Sequence, residues 1–169
     1  MAMTKVAEVT VGSGGAASIE FTGIAGTGKD LLILISSRNT GANGLYLTIN
    51  GDTTASRYTY RVLFGSGSSV GSINGSNLTG EGAYIAEPNR NTYTANTFDN
   101  TSIYIANYAV AAAKSISVDS VAENNATAAD QSINAVSYNQ TTAITSLLLR
   151  YAGTNNFVQH TTASLYIVS

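Results

Sequence analysis

The sequence lacks several residues on which common protein chemistries depend. Its 169 residues contain no Cys, no Trp, one Pro and one His, His160. Without Cys there are no disulfides and no thiolate metal sites, and a single imidazole is too few for a metal cluster or a proton relay. We therefore predict no catalytic, cofactor or metal residues.

Charge is also scarce. Charged residues make up 11% of the chain and the net charge is −2. Nucleic-acid binders carry a basic stripe, which eight scattered Lys and Arg residues do not form, so no nucleic-acid partner is expected. The longest apolar run, Leu31 to Ile35, is far shorter than a membrane span, and the N-terminal stretch lacks the apolar core of a secretory signal. A weakly charged surface favours packing against other subunits, although a merely neutral surface is the alternative.

The remaining pattern is that of short strands. Around the centre of the chain, Ile103 and Ile105 alternate with Ser102 and Tyr104, and strand side chains repeat every two residues. Similar runs occur at Lys5–Val11, Ala16–Thr22, Asp30–Ser37, Leu45–Asn50, Arg57–Phe64, Ala83–Glu87, Thr97–Ile105, Lys114–Asp119, Ser132–Tyr138, Ile144–Tyr151 and Ala163–Val168. They predict an all-β fold of about 8–11 short strands, an antiparallel, jelly-roll-like β-sandwich forming a single domain over residues 1–169.

Local composition adds three expectations. Gly65–Gly82, rich in Gly, Ser and Asn, is predicted to be an extended or mobile loop. Its aliphatic side chains Ile73 and Leu78 are expected either to hold the loop against the domain or to insert into a partner. Asn50-Gly51 is a hairpin signal, and Pro88 is expected to end a strand or place it on a sheet edge.

The sequence contains no complete enzyme motif. Residues 23–30 approach a phosphate-binding loop but end in Asp30 where a hydroxyl is required, and a strand-like run follows instead of a helix. Asp99, Asp119, Glu123 and Asp130 lack the spacing of a calcium loop and are interpreted as solvated turn residues, with an ion at 119–125 as the alternative. No pair of acids is marked out for glycoside hydrolysis. We predict that the protein is not an enzyme.

Tyrosine is the abundant aromatic residue. Tyr84, Tyr93, Tyr104 and Tyr108 lie in the middle of the chain, and Tyr suits both interfaces and the faces of sugars. The alternative is that these rings line the rim of a sandwich core. With Ile73 and Leu78 they form the candidate interface set, and a glycan is a second kind of partner.

The order of segments resembles small virion proteins of tailed bacteriophages, especially phages of marine bacteria and cyanobacteria. The similar pieces are ASIEFTGI at 17–24, DLLIL at 30–34, LTINGD at 47–52, YTYR at 58–61, IYIANY at 103–108, KSISVD at 114–119, ENNA at 123–126 and the ending from Phe157-Val158-Gln159 to Ser164-Leu165-Tyr166-Ile167. The resemblance implies a non-enzymatic β-sandwich on the virion, assembled in the cytoplasm of the bacterial host.

Within that resemblance we expect a capsid-decorating cement protein that binds across subunits of the major capsid protein, or other virion proteins, and stabilises the head. It is expected to be a homo-oligomer, with a trimer favoured, and its candidate contact loops are Gly65–Gly82 and Asn107–Ala113. The alternative is a tail-fibre or receptor-binding module that recognises host surface glycan.

Overall fold

The computed structural model describes residues 2–76, 80–123 and 129–169, and within these ranges the chain is all-β with no helix. This confirms the predicted class, with twelve strands where about 8–11 were expected. The strands are β1 (Met3–Thr10), β2 (Ser18–Phe21), β3 (Asp30–Ser36), β4 (Leu45–Ile49), β5 (Tyr58–Ser66), β6 (Ser69–Ser76), β7 (Ala83–Ala86), β8 (Asn100–Ile105), β9 (Lys114–Glu123), β10 (Ala129–Tyr138), β11 (Leu147–Tyr151) and β12 (Thr162–Val168).

The strands form two antiparallel sheets that face each other across the main hydrophobic core, and a second, smaller cluster joins Tyr46, Val62 and Tyr84. The larger sheet has the order β1-β12-β3-β8-β9-β10-β5-β6, and the smaller has the order β2-β11-β4-β7. Without β5, β6, β9 and β10, two four-stranded sheets remain, β1-β12-β3-β8 and β2-β11-β4-β7. Strands from the two ends of the chain interleave in them as they do in a jelly roll. The fold is therefore a jelly-roll sandwich with two inserted hairpins.

The two inserted hairpins extend the larger sheet beyond β8. One is β9–β10 and the other β5–β6, and they join through nine antiparallel residue pairs between β10 and β5, from Asp130↔Ser66 to Tyr138↔Tyr58. We call these four strands the extension. The face of the larger sheet that packs on the smaller sheet is its inner face, and the opposite side is its outer face.

Tyrosines attach the extension to the core on its inner face. The rings of the cross-strand partners Tyr58 and Tyr138 stack with centroids 4.7 Å apart, and both are buried. The Tyr58 hydroxyl accepts from the Ile49 N–H at 2.9 Å and donates to the Asp52 carbonyl at 2.9 Å. Burial raises the pKa of Tyr58 far above its ordinary value, so the hydroxyl keeps its proton and its role as a donor.

The prediction of a loop over Gly65–Gly82 is wrong for most of that segment. β5 continues to Ser66, and β6 returns from Ser69 after a two-residue turn in which Gly67 has a φ of 56°. The glycines of β6 make room for aromatic rings on β5: a Cβ at Gly71 would lie 2.6 Å from the Phe64 ring, and one at Gly75 would lie 2.6 Å from the Tyr60 hydroxyl. The glycine-rich composition of β6 therefore reflects the packing of aromatic rings of β5 against glycines of the neighbouring strand.

Two turn predictions have different outcomes. Asn50 and Gly51 form the expected tight turn, with φ of 52° and 67°, but β4 and β5 belong to different sheets, so the turn carries the chain across the sandwich and closes no hairpin. β7 ends at Ala86, just before Pro88, and is an edge strand of the smaller sheet, as predicted.

Candidate functional site

The outer face of the extension carries exposed aliphatic side chains. Ile133 and Leu63 are direct cross-strand partners, and Val121 and Val70 occupy the adjacent row through Gln131 and Gly65. Their exposed fractions are 56% for Ile133, 65% for Leu63, 40% for Val121 and 88% for Val70. These four residues are the apolar patch. Contiguous exposed aliphatics on a sheet face are typical of a surface that binds something.

A polar trough of about 740 Å³ lies on the same face, beside the apolar patch. Tyr104 lines it from β8 and Arg61 from β5, with hydroxyl and small side chains between them. The Tyr104 hydroxyl donates to the Asp30 carboxylate, which also accepts the Asn107 N–H at 2.8 Å. Tyr104 therefore contributes to a surface, but not to the one that contains Tyr84 and Tyr93.

A cleft of about 400 Å³ opens at the inner face of the extension, where β7 and the segment after it meet β5, β6 and β10. Ile73, Tyr84 and Tyr93 all line this cleft, so the structure brings together three of the six predicted interface residues. Phe64 and Val62 add apolar wall, and the polar lining comes from Glu87, Arg90, Asp130, Ser120 and Ser132.

Buried Arg38 holds the segment that brings Tyr93 and Arg90 to the cleft. Its guanidinium donates to the carbonyls of Asn91, Tyr93, Thr94 and Thr97, at 3.3, 2.9, 2.6 and 3.1 Å. A planar fork of five N–H donors can serve several carbonyls at once, which an ammonium cannot do in the same geometry. Arg38 thus fixes the backbone from which two cleft side chains project.

Asp99 fixes the far end of the same segment. Its carboxylate accepts the Ser37 N–H at 2.7 Å and the Ser37 hydroxyl at 2.9 Å, and that hydroxyl lies 2.7 Å from the Tyr151 hydroxyl. Burial raises the pKa of Asp99 to about 7, and these hydrogen bonds only partly oppose the shift. The interpretation of Asp99 as a solvated turn residue is wrong, because its side chain is buried against the end of β3.

Inside the cleft, acids and tyrosines are paired. The Tyr93 hydroxyl donates to Asp130 at 2.5 Å, and the Tyr84 hydroxyl donates to Glu87 at 2.8 Å. Arg90 donates to the second oxygen of Glu87 at 2.9 Å. Burial, reinforced by the hydrogen bond to Asp130, raises the pKa of Tyr93 to about 12, so the hydroxyl stays protonated. Asp130, like Asp99, is therefore bound within the fold, contrary to its interpretation as a solvated turn residue.

Two polar side chains that line the cleft each have an atom without a hydrogen-bond partner among the described residues. These atoms are the buried Nε of Arg90 and the buried Oδ1 of Asp130. One atom is a donor and the other an acceptor, and both belong to side chains that line the cleft. Aromatic rings beside such groups form the type of surface on which sugars stack.

Two of the predicted interface residues do not contribute to either surface. Tyr108 is fully buried, and its hydroxyl donates to the Ala25 carbonyl while accepting the Gly28 N–H at 3.2 Å, so it supports the 24–28 loop. Leu78 lies outside the described residues. Arg38 could not be recognised as an anchor from the sequence, beyond its being one of few charges, because its partners lie more than fifty positions away.

The other motif predictions fall on ordinary structure. Residues 23–29 form a loop that runs into strand β3 with no intervening helix. The interpretation of Asp119 and Glu123 as turn residues is wrong, because β9 continues to Glu123, with Asp119 exposed on its outer face. In the described ranges no group of three or more His, Asp or Glu is placed to hold a metal ion, and no helix could cross a membrane. Asn124 and Asn125, from the 119–125 segment, lie outside those ranges. The chain matches no protein-family model, no curated protein and no solved structure.

Proposed function

We propose that this protein is a structural component of a tailed-bacteriophage virion and acts as a cement protein that attaches to the capsid shell through the outer face of its extension. The observation that carries the proposal is the apolar patch, four exposed aliphatics on a sheet face of a chain with few charges. The partner is the major capsid protein in its assembled state. The jelly-roll architecture occurs in viral capsid domains and also in lectins, so it supports the proposal only by analogy.

The size of the apolar patch suggests weak binding by a single copy. Fully burying an aliphatic side chain stabilises by about 1.5–3 kcal/mol, and these four are about half to nine-tenths exposed, so covering them yields roughly 4–7 kcal/mol. Association entropy consumes much of that free energy. A cement protein can compensate by presenting several patches at once to a symmetric shell, because linked sites gain avidity. This argument supports self-association, for which a trimer was the expectation from sequence.

The mechanism in this proposal is passive. A rigid sandwich that binds neighbouring capsid subunits only when they are assembled stabilises that assembled state by mass action. No catalytic step is involved, and the polar trough with Tyr104 and Arg61 provides hydrogen-bonding groups beside the apolar patch. The side chains that direct affinity are aliphatic, so binding should depend only weakly on salt.

The test is co-sedimentation with expanded, undecorated capsids of the phage that encodes the protein. Ile133→Lys should reduce binding at least about tenfold, because a lysine in the centre of the apolar patch cannot be buried without a partner. Ser18→Lys, which adds the same charge at an exposed serine of β2 in the smaller sheet, away from the outer face of the extension, should bind normally. Equal binding of both variants, or none by the unmodified protein, would reject the proposal.

A second candidate function, a tail-fibre or receptor-binding module that recognises host surface glycan, is favoured by the cleft. Tyr84 is too buried for an alanine substitution to report on binding alone, so Tyr93→Phe is the sharper probe. It removes the hydroxyl bonded to Asp130 and keeps the ring. Selective binding on a glycan array that weakens in Tyr93→Phe would support this function. Binding that is absent, or unchanged by the substitution, would count against it.

A further inference from the structure

Among the described residues, strand β6 ends the larger sheet and no strand pairs with its outer hydrogen-bonding edge. In a hairpin with a two-residue turn, Ser66 and Ser69 form the first bonded pair, and bonded pairs recur at every second residue. Gly71, Ile73 and Gly75 therefore bond to β5. The N–H and C=O groups of Val70, Ser72 and Asn74 point away from the sheet, where the strand order has no further member.

The same hairpin exposes aliphatic side chains on both faces. Val70 and Leu63 are exposed on the outer face, and Ile73 is 44% exposed on the inner face. A partner that docks on one face covers only one of these sets. A strand added alongside β6 places its own side chains beside Val70 on one face and Ile73 on the other, and it satisfies the open edge as well.

The opposite edge of the sheet is protected. β1 carries Lys5 and Glu8, which form an exposed ion pair at 2.7 Å, and its register shifts between Lys5 and Ala7. Charges and bulges on an edge strand discourage pairing with another chain. β6, with the sequence SVGSINGS, has no charge and no proline, and no bulge interrupts its pairing with β5.

We infer that β6 pairs with β6 of a second copy of this chain, antiparallel and about a two-fold axis, joining two larger sheets into one. A two-fold axis pairs the strand with itself and brings the residues nearest the axis close to their own equivalents, so a charged edge would repel itself there, whereas the neutral β6 does not. Backbone groups of Val70, Ser72 and Asn74 supply about six hydrogen bonds across the axis in the register centred on Ser72. In that register Ile73 of each copy lies opposite the small Gly71 of the other.

This inference deepens the self-association in the proposed function and replaces the expected trimer by a dimer. It rests on β6 alone and needs no capsid. The dimer would place two apolar patches on one continuous outer face, which is the arrangement that avidity for a shell requires. Its tests use the isolated full chain, so failure of the dimer and failure of capsid binding are separate results.

The first experiment is analytical ultracentrifugation over a wide concentration range, with two substitutions at one position. Ser72→Pro removes the outward N–H and should weaken dimerisation about tenfold or more, whereas Ser72→Ala keeps that N–H and should dimerise as the unmodified protein does. If Ser72→Pro disturbs folding, Ser72→Lys places like charges directly across the axis and should have the same effect. A protein that stays monomeric at high concentration, or dimers that ignore both Ser72→Pro and Ser72→Lys, would overturn the inference.

Because the chain has no Cys, single-cysteine variants give a second, independent readout. Mild oxidation should cross-link Ser72→Cys or Ile73→Cys, depending on which residue lies on the axis, about tenfold more than Ser115→Cys, an exposed control on β9. Cross-linking at neither position 72 nor position 73, or cross-linking no greater than that of the control, would reject pairing through β6.

Discussion

Replacing the buried carboxyl of Asp99 with an amide should remove a large pH dependence from stability. Burial raises the pKa of Asp99 from an ordinary value of 3.8 to about 7. Between those values the folded chain holds a proton that the unfolded chain releases, so the free energy of unfolding falls as pH rises through this window. A difference of about 3 pKa units corresponds to about 4 kcal/mol by pH 8.

The Asp99→Asn side chain keeps the shape of the carboxyl and cannot ionise. Its oxygen can still accept the Ser37 N–H, and its amide can donate to the Ser37 hydroxyl, while the long 3.4 Å bond from the Asn89 N–H is lost. A lost hydrogen bond costs about 1 kcal/mol, so we expect a net gain of roughly 2–3 kcal/mol at pH 8 and a small loss at pH 4.

Urea unfolding at several pH values between 4 and 8 measures this directly. Asp119→Asn, at an exposed position of β9, is the matched control and should leave the pH profile unchanged. If Asp99→Asn retained the decline in stability of the unmodified protein between pH 5 and 8, Asp99 would not be the titrating group. A large loss of stability at pH 8 would show that the carboxylate is stabilising and would refute the reasoning.

Three further substitutions test other parts of the fold by urea unfolding. Gly82→Ala should lower the free energy of unfolding by about 2–4 kcal/mol, because Gly82 has a φ of 81° and the added Cβ would lie 2.4 Å from the Leu47 carbonyl oxygen. Its control, Gly80→Ala, has a φ of 87° and open space around the added Cβ, and should lower the free energy of unfolding by only about 1 kcal/mol. Arg38→Lys should lose about 2–4 kcal/mol, and amide exchange should quicken in residues 89–97 while the strands stay protected. Tyr58→Phe should lose about 1–3 kcal/mol because the buried Ile49 N–H loses its acceptor.

Local patterns predicted the class of fold well and its long-range features poorly. The alternation around Ile116 and Val118 is visible in sequence, and β9 has that alternation along its length. The pairing of Phe64 with Gly71 could not be predicted from composition, because composition does not distinguish a glycine that makes room for a ring from a glycine in a loop. Strand order is likewise set by contacts distant in sequence, so neither the extension nor its open edge could be predicted.

The candidate site shows the same division. Tyr84, Tyr93 and Ile73 were singled out for their residue type, but they come from three different segments that meet only in the folded chain. Asp99 was assigned to a solvated turn and Arg38 was overlooked, because a buried charge is recognised by its partners, which are remote in sequence. Residue type can therefore suggest which side chains lie at a functional surface, but the residues that hold those side chains in position are recognised only in the folded structure.

The order of strands in the extension makes one inserted hairpin dependent on the other. β9 hydrogen-bonds directly to β8, so β9–β10 would remain attached to the jelly roll if residues 58–76 were removed. The reverse does not hold, because β5 reaches the sheet only through β10. β5 and β6 precede β10 in the chain, so the ribosome releases this dependent hairpin well before it has synthesised the strand with which β5 pairs. The outermost hairpin of the larger sheet therefore depends on a strand made later, and a truncation before β10 would deprive it of its attachment to the sheet.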